Sequence, residues 1–314
     1  MLIKSRSISV IIPCYKDAAT LGRALESIYE QTHHVNEVIV INDASPETAA
    51  IELVLRSYPD VLYLKNSVNL GLAATRNVGV RNAKSDIVTF LDADDSLHPQ
   101  KIELQLALFK TERVISCSTQ RVSRNYEQVE SVKYKGSVPY RRISMSIRSL
   151  VSNHITGAAM MISRELFNSM GGYDETLKSC EDFDFWLRLL NHGVDVVDIQ
   201  LPLYYYAINP SGLTSNIQKI SHWELKVIKK FFADNRDIEI YKRYEPIVLV
   251  VWLSRHCVRY RLCGDTSYKT DIDNNAYLLS DLPVARAILW LFKWMRMDVL
   301  LAVLVKAYPG KNSF

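Results

Sequence analysis

A chain of 314 residues, 48% hydrophobic and 23% charged, is long enough for one large domain or a domain and a half with a sizeable core. Its net charge of +4 is too mild to argue for nucleic-acid binding and suits an enzyme that handles phosphates or lies near an anionic membrane. The five cysteines (Cys14, Cys117, Cys180, Cys257, Cys263) are odd in number and contain no CxxC pair, so neither a disulfide framework nor a zinc site is indicated and a reducing cytoplasm is the expected setting.

In chain order, Met1–Arg6 lacks the apolar core of a signal peptide. Ile8–Ile12 is a short apolar run rich in β-branched residues and reads as a buried strand. A helix is expected over Ala18–Gln31, with Leu21, Leu25 and Ile28 on one face. Strands follow at Val38–Ile41, Val61–Leu64 and Ile87–Leu91, with helices at Ala49–Tyr58 and Ala73–Ala83 between them. This alternation implies an α/β domain with a mostly parallel sheet flanked by helices. Gln120–Leu150 is less periodic, rich in Lys and Arg, and reads as an irregular insertion or connection. Gly157–Ser163 reads as a strand and Asp182–Leu190 as an amphipathic helix. From about residue 215 the pattern is helical, punctuated by Pro246 and Pro283, so a boundary is placed there: residues 1–215 form the α/β domain and 216–314 a helical C-terminal extension.

Parallel sheets bind ligands at the carboxyl ends of their strands, so the residues after each strand carry the search for a site. Pro13–Asp17 follows the first strand, Asn42–Ser45 the second and Asp92–Asp95 the fourth, with Asn69–Gly71 leading to Arg76 and Asn77 between them. Asp92, Asp94 and Asp95 crowd three carboxylates into four residues, which is costly unless a cation or hydrogen-bond donors compensate. Mg²⁺ or Mn²⁺ held jointly with substrate phosphates would do so; so would a solvated turn in which Asp95 or Ser96 caps the next helix. Asp43 can accept from the N–H of a pyrimidine or cap a helix. Tyr15 can stack on a base or sit half-buried in the core. Arg76 can pair with a diphosphate or be a solvated helix charge. Glu181 and Asp182, read alone, are two acids favoured by the dipole at a helix N-terminus.

Taken together, Ser9–Tyr15, Val40–Ser45, Asn69–Gly79, Phe90–Asp95, Gly171–Glu175 and Glu181–Arg188 resemble, in order and spacing over about residues 7–206, the family 2 glycosyltransferases. The resemblance implies a GT-A fold, a Rossmann-like sheet, and inverting transfer from a nucleotide sugar to a hydroxyl. It implies that Pro13, Tyr15, Asp17 and Asp43 hold the nucleoside and that Arg76 lies near it or the diphosphate. Asp92, with Ala93 beside it, would face the ribose or the metal, and Asp94 would ligate Mn²⁺ or Mg²⁺. Asp182 would be the catalytic base, with Glu181 and Trp186 on the acceptor side; Phe185, Trp186 and Leu189 can anchor the helix that Asp182 opens. Two departures stand out: Lys16 precedes Asp17 where the family often has Asn, and Ala207 and Asn209 stand where it often has Arg and His. The resemblance therefore carries no His from this segment to the diphosphate or the metal.

The expected donor is a UDP-sugar and the acceptor a glycan or lipid-linked sugar, as in surface polysaccharide or glycolipid synthesis by a hexosyl- or N-acetylhexosaminyl-transferase. A dinucleotide-dependent oxidoreductase is disfavoured because Pro13–Asp17 has no glycine for close approach to a pyrophosphate. A metal-dependent nucleotidyltransferase would want a basic, glycine-rich loop near the first strand, and a catalytically silent binding or scaffold protein would not need Asp94 and Asp182. The tail has no apolar run long enough to span a bilayer. Over residues 284–305 a helix would gather Arg286, Lys293 and Arg296 on one side, with Trp290 and Trp294 beside or behind them. Such a helix suits peripheral contact with the inner face of the cell membrane, or packing on the catalytic domain or on a second copy in a homodimer.

Overall fold

Ile8–Cys14 (β1) is a seven-residue strand buried along its whole length, as a continuous apolar run in a parallel sheet requires. It opens the computed structural model, which describes residues 6–123, 132–153, 155–209 and 216–262 and the single positions 264, 266, 270 and 274. Next come α1 (Ala18–Tyr29), β2 (Glu37–Asn42), α2 (Thr48–Leu55), β3 (Leu62–Lys65), α3 (Leu72–Asn82) and β4 (Ile87–Phe90). Each lies within a few residues of its expected position, and Leu21, Leu25 and Ile28 form the buried face of α1. Helix α3 is seated close against the sheet. A Cβ at Gly79 would come 2.4 Å from Ile11 Cγ2 and 2.9 Å from Ile41 Cδ1, so only glycine permits the approach.

The chain continues through β5 (Ser96–Leu97), α4 (Lys101–Leu108), β6 (Arg113–Ser123), β7 (Tyr140–Ile143), α5 (Ile147–Val151), a 3₁₀ turn (Gly157–Ala159), β8 (Met161–Ser163), α6 (Arg164–Ser169), α7 (Glu181–Asn191) and β9 (Asp195–Ile208). Among the described residues these strands form one nine-stranded sheet in the order β3-β2-β1-β4-β8-β6-β9-β5, with β7 also paired to β9. The β3-β2-β1-β4 half is wholly parallel. Beyond it the sheet is mixed: β8 is antiparallel to β4 and β6, β9 is parallel to β6, and β5 and β7 are antiparallel to β9. The result is an α/β fold with a central sheet flanked by helices.

Two local expectations are corrected. Only Met161–Ser163 of the expected strand at Gly157–Ser163 is strand, because the N–H of Gly157 turns to the Asp182 carboxylate instead of a neighbouring strand. The basic stretch read as irregular contains β7, an edge strand whose Arg141 and Arg142 pair with Asp198 and Asp195 of β9. Charges of this kind protect a sheet edge and hide its strand pattern.

Among the described residues one lysine lies in the core. Lys101 is fully buried, and its Nζ donates to Thr89 Oγ1 at 3.0 Å and Gln105 Oε1 at 2.9 Å. Burial pushes its pKa down from 10.5 to about 8, with Cys117 pulling weakly the other way. The stability tied to this group is complete above pH 10.5 and is lost as the pH falls through about 8. Replacing Lys101 with Met should therefore remove a rise on the order of 3 kcal/mol between those limits. Urea unfolding of both proteins at pH 7.5 and 10.5 checks this; parallel pH profiles would rule it out.

The described residues fall into two compact units, one within Met1–Ser149 and Asn153–Ser211, the other within Leu150–Ser152 and Gly212–Phe314. The second contains α8 (Ile217–Asp234) and α9 (Glu239–Leu262), joined by an edge-on contact of the Phe231 and Tyr241 rings at 5.0 Å. Trp252 Nε1 donates to the Leu150 carbonyl at 2.7 Å. Pro246 lies inside α9 rather than ending a helix. Among the described residues no helix is long and apolar enough to cross a membrane. The helix expected over 284–305, with Pro283, lies outside them.

Candidate active site

The carboxyl ends of β1, β2 and β4 converge as the parallel half of the sheet requires. Pro13 pairs with Ile41 inside the sheet, and the Asp43 N–H donates to the Cys14 carbonyl at 3.0 Å, clamping the ends of β1 and β2 together. Tyr15 projects from this junction 40% exposed, with Lys16 Nζ 5.3 Å from its ring centroid. An exposed ring of this kind suits stacking. Asp17 precedes α1, and its carbonyl accepts the Thr20 and Leu21 N–H groups.

Asp43 is buried and does not cap a helix, since α2 starts only at Thr48. Its Oδ1 accepts from Leu70 N and Asn66 Nδ2, each at 2.8 Å, and Oδ2 from Gly71 N at 2.9 Å. The carboxylate thus shapes the 66–71 loop. Of its roughly four acceptor positions, the one left in this set is on Oδ2.

Arg76 is not a solvated helix charge: it is 3% exposed. Nη2 donates to Asp92 Oδ1 at 2.6 Å and Nη1 to Glu181 Oε1 at 2.8 Å. Burial opposes its charge, but Asp92 and Glu181 more than offset this and raise its pKa above the ordinary value. Asn77, on the same helix, receives the Tyr173 N–H at 3.0 Å and donates to the Tyr173 carbonyl at 2.8 Å. Arg188 of α7 donates to the Gly172 carbonyl at 2.7 Å. Motifs scattered along the sequence are thereby tied into one structure.

The acidic turn divides its labour. Asp95 is buried; its carboxyl accepts from Tyr204 Oη and Ala207 N, each at 2.7 Å. Burial, then Asp92 and Asp94, push its pKa up to about 8 against the pull of those two donors. Its compensation comes from β9 and not from capping. Ala93 is buried against the core. Asp92 keeps 27% of its side chain exposed, and Asp94 Oδ2 accepts from Asn209 Nδ2 at 3.1 Å. Arg23 Nη2 holds the Asp94 carbonyl at 2.9 Å.

Asp182 stands in the first turn of α7, after Cys180 in a left-handed conformation. Its Oδ1 accepts from Phe183 N at 2.7 Å and Asn153 Nδ2 at 3.3 Å, and Oδ2 from Gly157 N at 3.2 Å. Burial raises its pKa, opposed by Arg76 and these donors. Burial likewise pushes Glu181 up to about 7, with Arg76 pulling it down and Asp182 pushing it up. Trp186, expected on the acceptor side, is 3% exposed and packs in the core with Phe185 and Leu189. It anchors the helix and offers no surface to a ligand. Asn66, Asn153 and Gly157 were not singled out as site residues by sequence, and Asn209 only as a departure from the family, because what each does depends on a carboxylate far away in the chain.

The sequence pattern of Glycosyl transferase family 2 matches residues 9–171. The chain belongs to this family. An uncharacterized glycosyltransferase of Haemophilus influenzae is 31% identical over 249 residues, 76% of this chain and 82% of that protein. One of Rickettsia felis is 27% identical over 187 residues, 58% of this chain but only 31% of the relative's length. The fold is similar to Staphylococcus aureus TarS, crystallised with UDP-GlcNAc: TM-score 0.60 at 20% identity, covering 80% of this chain and 72% of that one. The candidate site residues therefore lie on a glycosyltransferase scaffold of GT-A type.

Proposed function

We propose that this chain transfers a sugar, with inversion, from a UDP-sugar to a hydroxyl of a glycan or lipid-linked acceptor. The observation that carries the reading is the meeting of the Asp92 turn and the start of α7 at one guanidinium, with Arg76 and Glu181 105 positions apart. This juxtaposition sets a candidate diphosphate site beside a candidate base. The exposed Tyr15 and the remaining acceptor position on Asp43 Oδ2 fit a uracil ring stacked and hydrogen-bonded between Pro13, Tyr15 and Asp17. The crystal structures of TarS with UDP and with UDP-GlcNAc agree with a uridine donor.

Among the described residues no three His, Cys, Asp or Glu side chains group into a metal cage. Asp94 and the outer oxygen of Asp92 are hard donors that fit Mg²⁺ or Mn²⁺ sharing its shell with phosphate oxygens. Such a cation would neutralise charge on the departing diphosphate. Asp182 takes the acceptor's proton on Oδ2, which carries the Gly157 bond while Oδ1 holds two donors. As the proton leaves, the acceptor oxygen bonds to the anomeric carbon, and the carbon–phosphate-oxygen bond breaks with its electron pair going to the diphosphate. Glu181 holds the helix start and Trp186 anchors it. The setting that fits is the cytoplasmic face of a membrane carrying the acceptor, with residues 284–305 as the contact.

Calorimetry tests the donor half of this reading. UDP should bind roughly tenfold or more tightly with Mn²⁺ than with chelator, about 1.4 kcal/mol per factor of ten. Asp94→Ala should abolish the difference. Equal affinity with and without metal in the unaltered protein would overturn it.

A further inference from the structure

The surroundings of Arg76 do not suit a phosphate-binding arginine. Its two terminal nitrogens are each taken by a carboxylate, on Asp92 and Glu181. The guanidinium lies 6.0 Å from the Phe90 ring centroid and 5.8 Å from that of Tyr173. Among the described residues its buried Nε has no hydrogen-bond partner. The Glu181 side chain is 7% exposed. The arginine keeps further N–H groups, but at 3% exposure a diphosphate oxygen could reach them only by moving the groups that cover it, and a buried carboxylate left unpaired is strongly destabilising.

Neither end of the bridge is idle. Asp92 is held at Oδ1, leaving Oδ2 for whatever enters the donor side. Glu181 is the first residue of α7 and is joined through the backbone to Asp182. The planar fork of an arginine can hold two carboxylates in fixed relative positions; a lysine ammonium cannot impose that geometry.

We propose that Arg76 is a positioning residue that does not touch the donor phosphates but sets the start of α7, and with it Asp182, at a fixed distance from the Asp92 turn. The proposal rests on the transferase reading for the roles at either end, but the bridge can be tested without it. Arg76→Met, Arg76→Lys and Arg76→Met/Glu181→Gln are compared with Glu181→Gln alone. UDP affinity in Mn²⁺ should stay within about threefold of the unaltered protein in Arg76→Lys, while kcat falls roughly tenfold or more and donor KM hardly moves. In urea, Arg76→Met should lower the unfolding midpoint most, and adding Glu181→Gln should recover a clear part of that loss, because the stranded charge is gone.

If Arg76→Met does not fold, recovery of a folded protein in the double variant supports the bridge, and failure of both overturns it. A tenfold or larger loss of UDP affinity in Arg76→Lys with kcat intact would return Arg76 to the diphosphate and overturn the proposal. Additive midpoints would also overturn it. If the unaltered protein binds no nucleotide, the transferase reading fails on its own, while the stability comparison still decides whether the bridge exists.

Discussion

Turnover should fall by about 10²–10⁴-fold when Asp182 is replaced by Asn, with UDP affinity unchanged. The substitution keeps the size of the side chain and removes its capacity to take a proton. It also meets a geometric conflict. The three donors around Asp182 come from Phe183, Asn153 and Gly157, and an amide has only one oxygen to offer them. If that oxygen stays with Phe183 and Asn153, the NH₂ faces the Gly157 N–H. The unaltered enzyme should show an acid limb in kcat/KM above the ordinary carboxylate range, because burial raises the pKa of Asp182. Activity is then lost as the pH falls and the base takes up its proton. Steady-state kinetics across pH checks both statements; near-normal turnover of the Asn variant would move the base elsewhere, with Glu181 next in line.

Gly157→Ala should damage the same group from the opposite side. A Cβ at this position would lie 2.5 Å from Asp182 Cβ and 3.4 Å from its Oδ2. Carbon atoms do not approach so closely, so either the 3₁₀ turn or the carboxylate must shift, and the Gly157 N–H bond to Oδ2 goes with it. Displacement of a reacting group by about 1 Å costs on the order of 10²-fold in rate. Overpacking should cost about 1–3 kcal/mol of stability. Single-turnover rates with UDP calorimetry separate these effects: kcat should drop while the nucleotide still binds. Unchanged kcat would mean that the exact seat of Asp182 is unimportant.

The parallel half of the sheet is legible in the sequence because β1, β2 and β4 are buried runs of β-branched residues with helical periods between them. The other half is not, for physical reasons visible in β9. Asp195 and Asp198 interrupt its apolar pattern, and each is paired with an arginine of a neighbouring strand. Pro202 falls where the register with β6 shifts around Ser118. The strand-end rule leads to Tyr15, Asp43, Asp92 and Asp94, since it reads residues that lie next to a visible strand. It cannot say that Asp95 is satisfied by β9, or that Arg76 is buried between two carboxylates. Gly157 and Asn153 escape for the same reason: each gains its meaning from Asp182, 25 and 29 positions away.

The hold of β9 on Asp95 also bears on the order in which the site comes into being. Tyr204 and Ala207 lie 109 and 112 positions after the carboxyl they secure. At typical rates of synthesis the acidic turn leaves the ribosome on the order of 10 s before these partners exist. During that interval β1–β4 can pair and Arg76 of α3 can already meet Asp92, but Asp95 lacks the two donors that β9 will bring. Asp95 enters the interior when β9 docks, and the turn that carries Asp94 takes its shape at that moment. A nascent chain paused before β9 would thus carry the parallel half of the sheet without the partners that seat Asp95, and the acidic turn would be completed late and all at once.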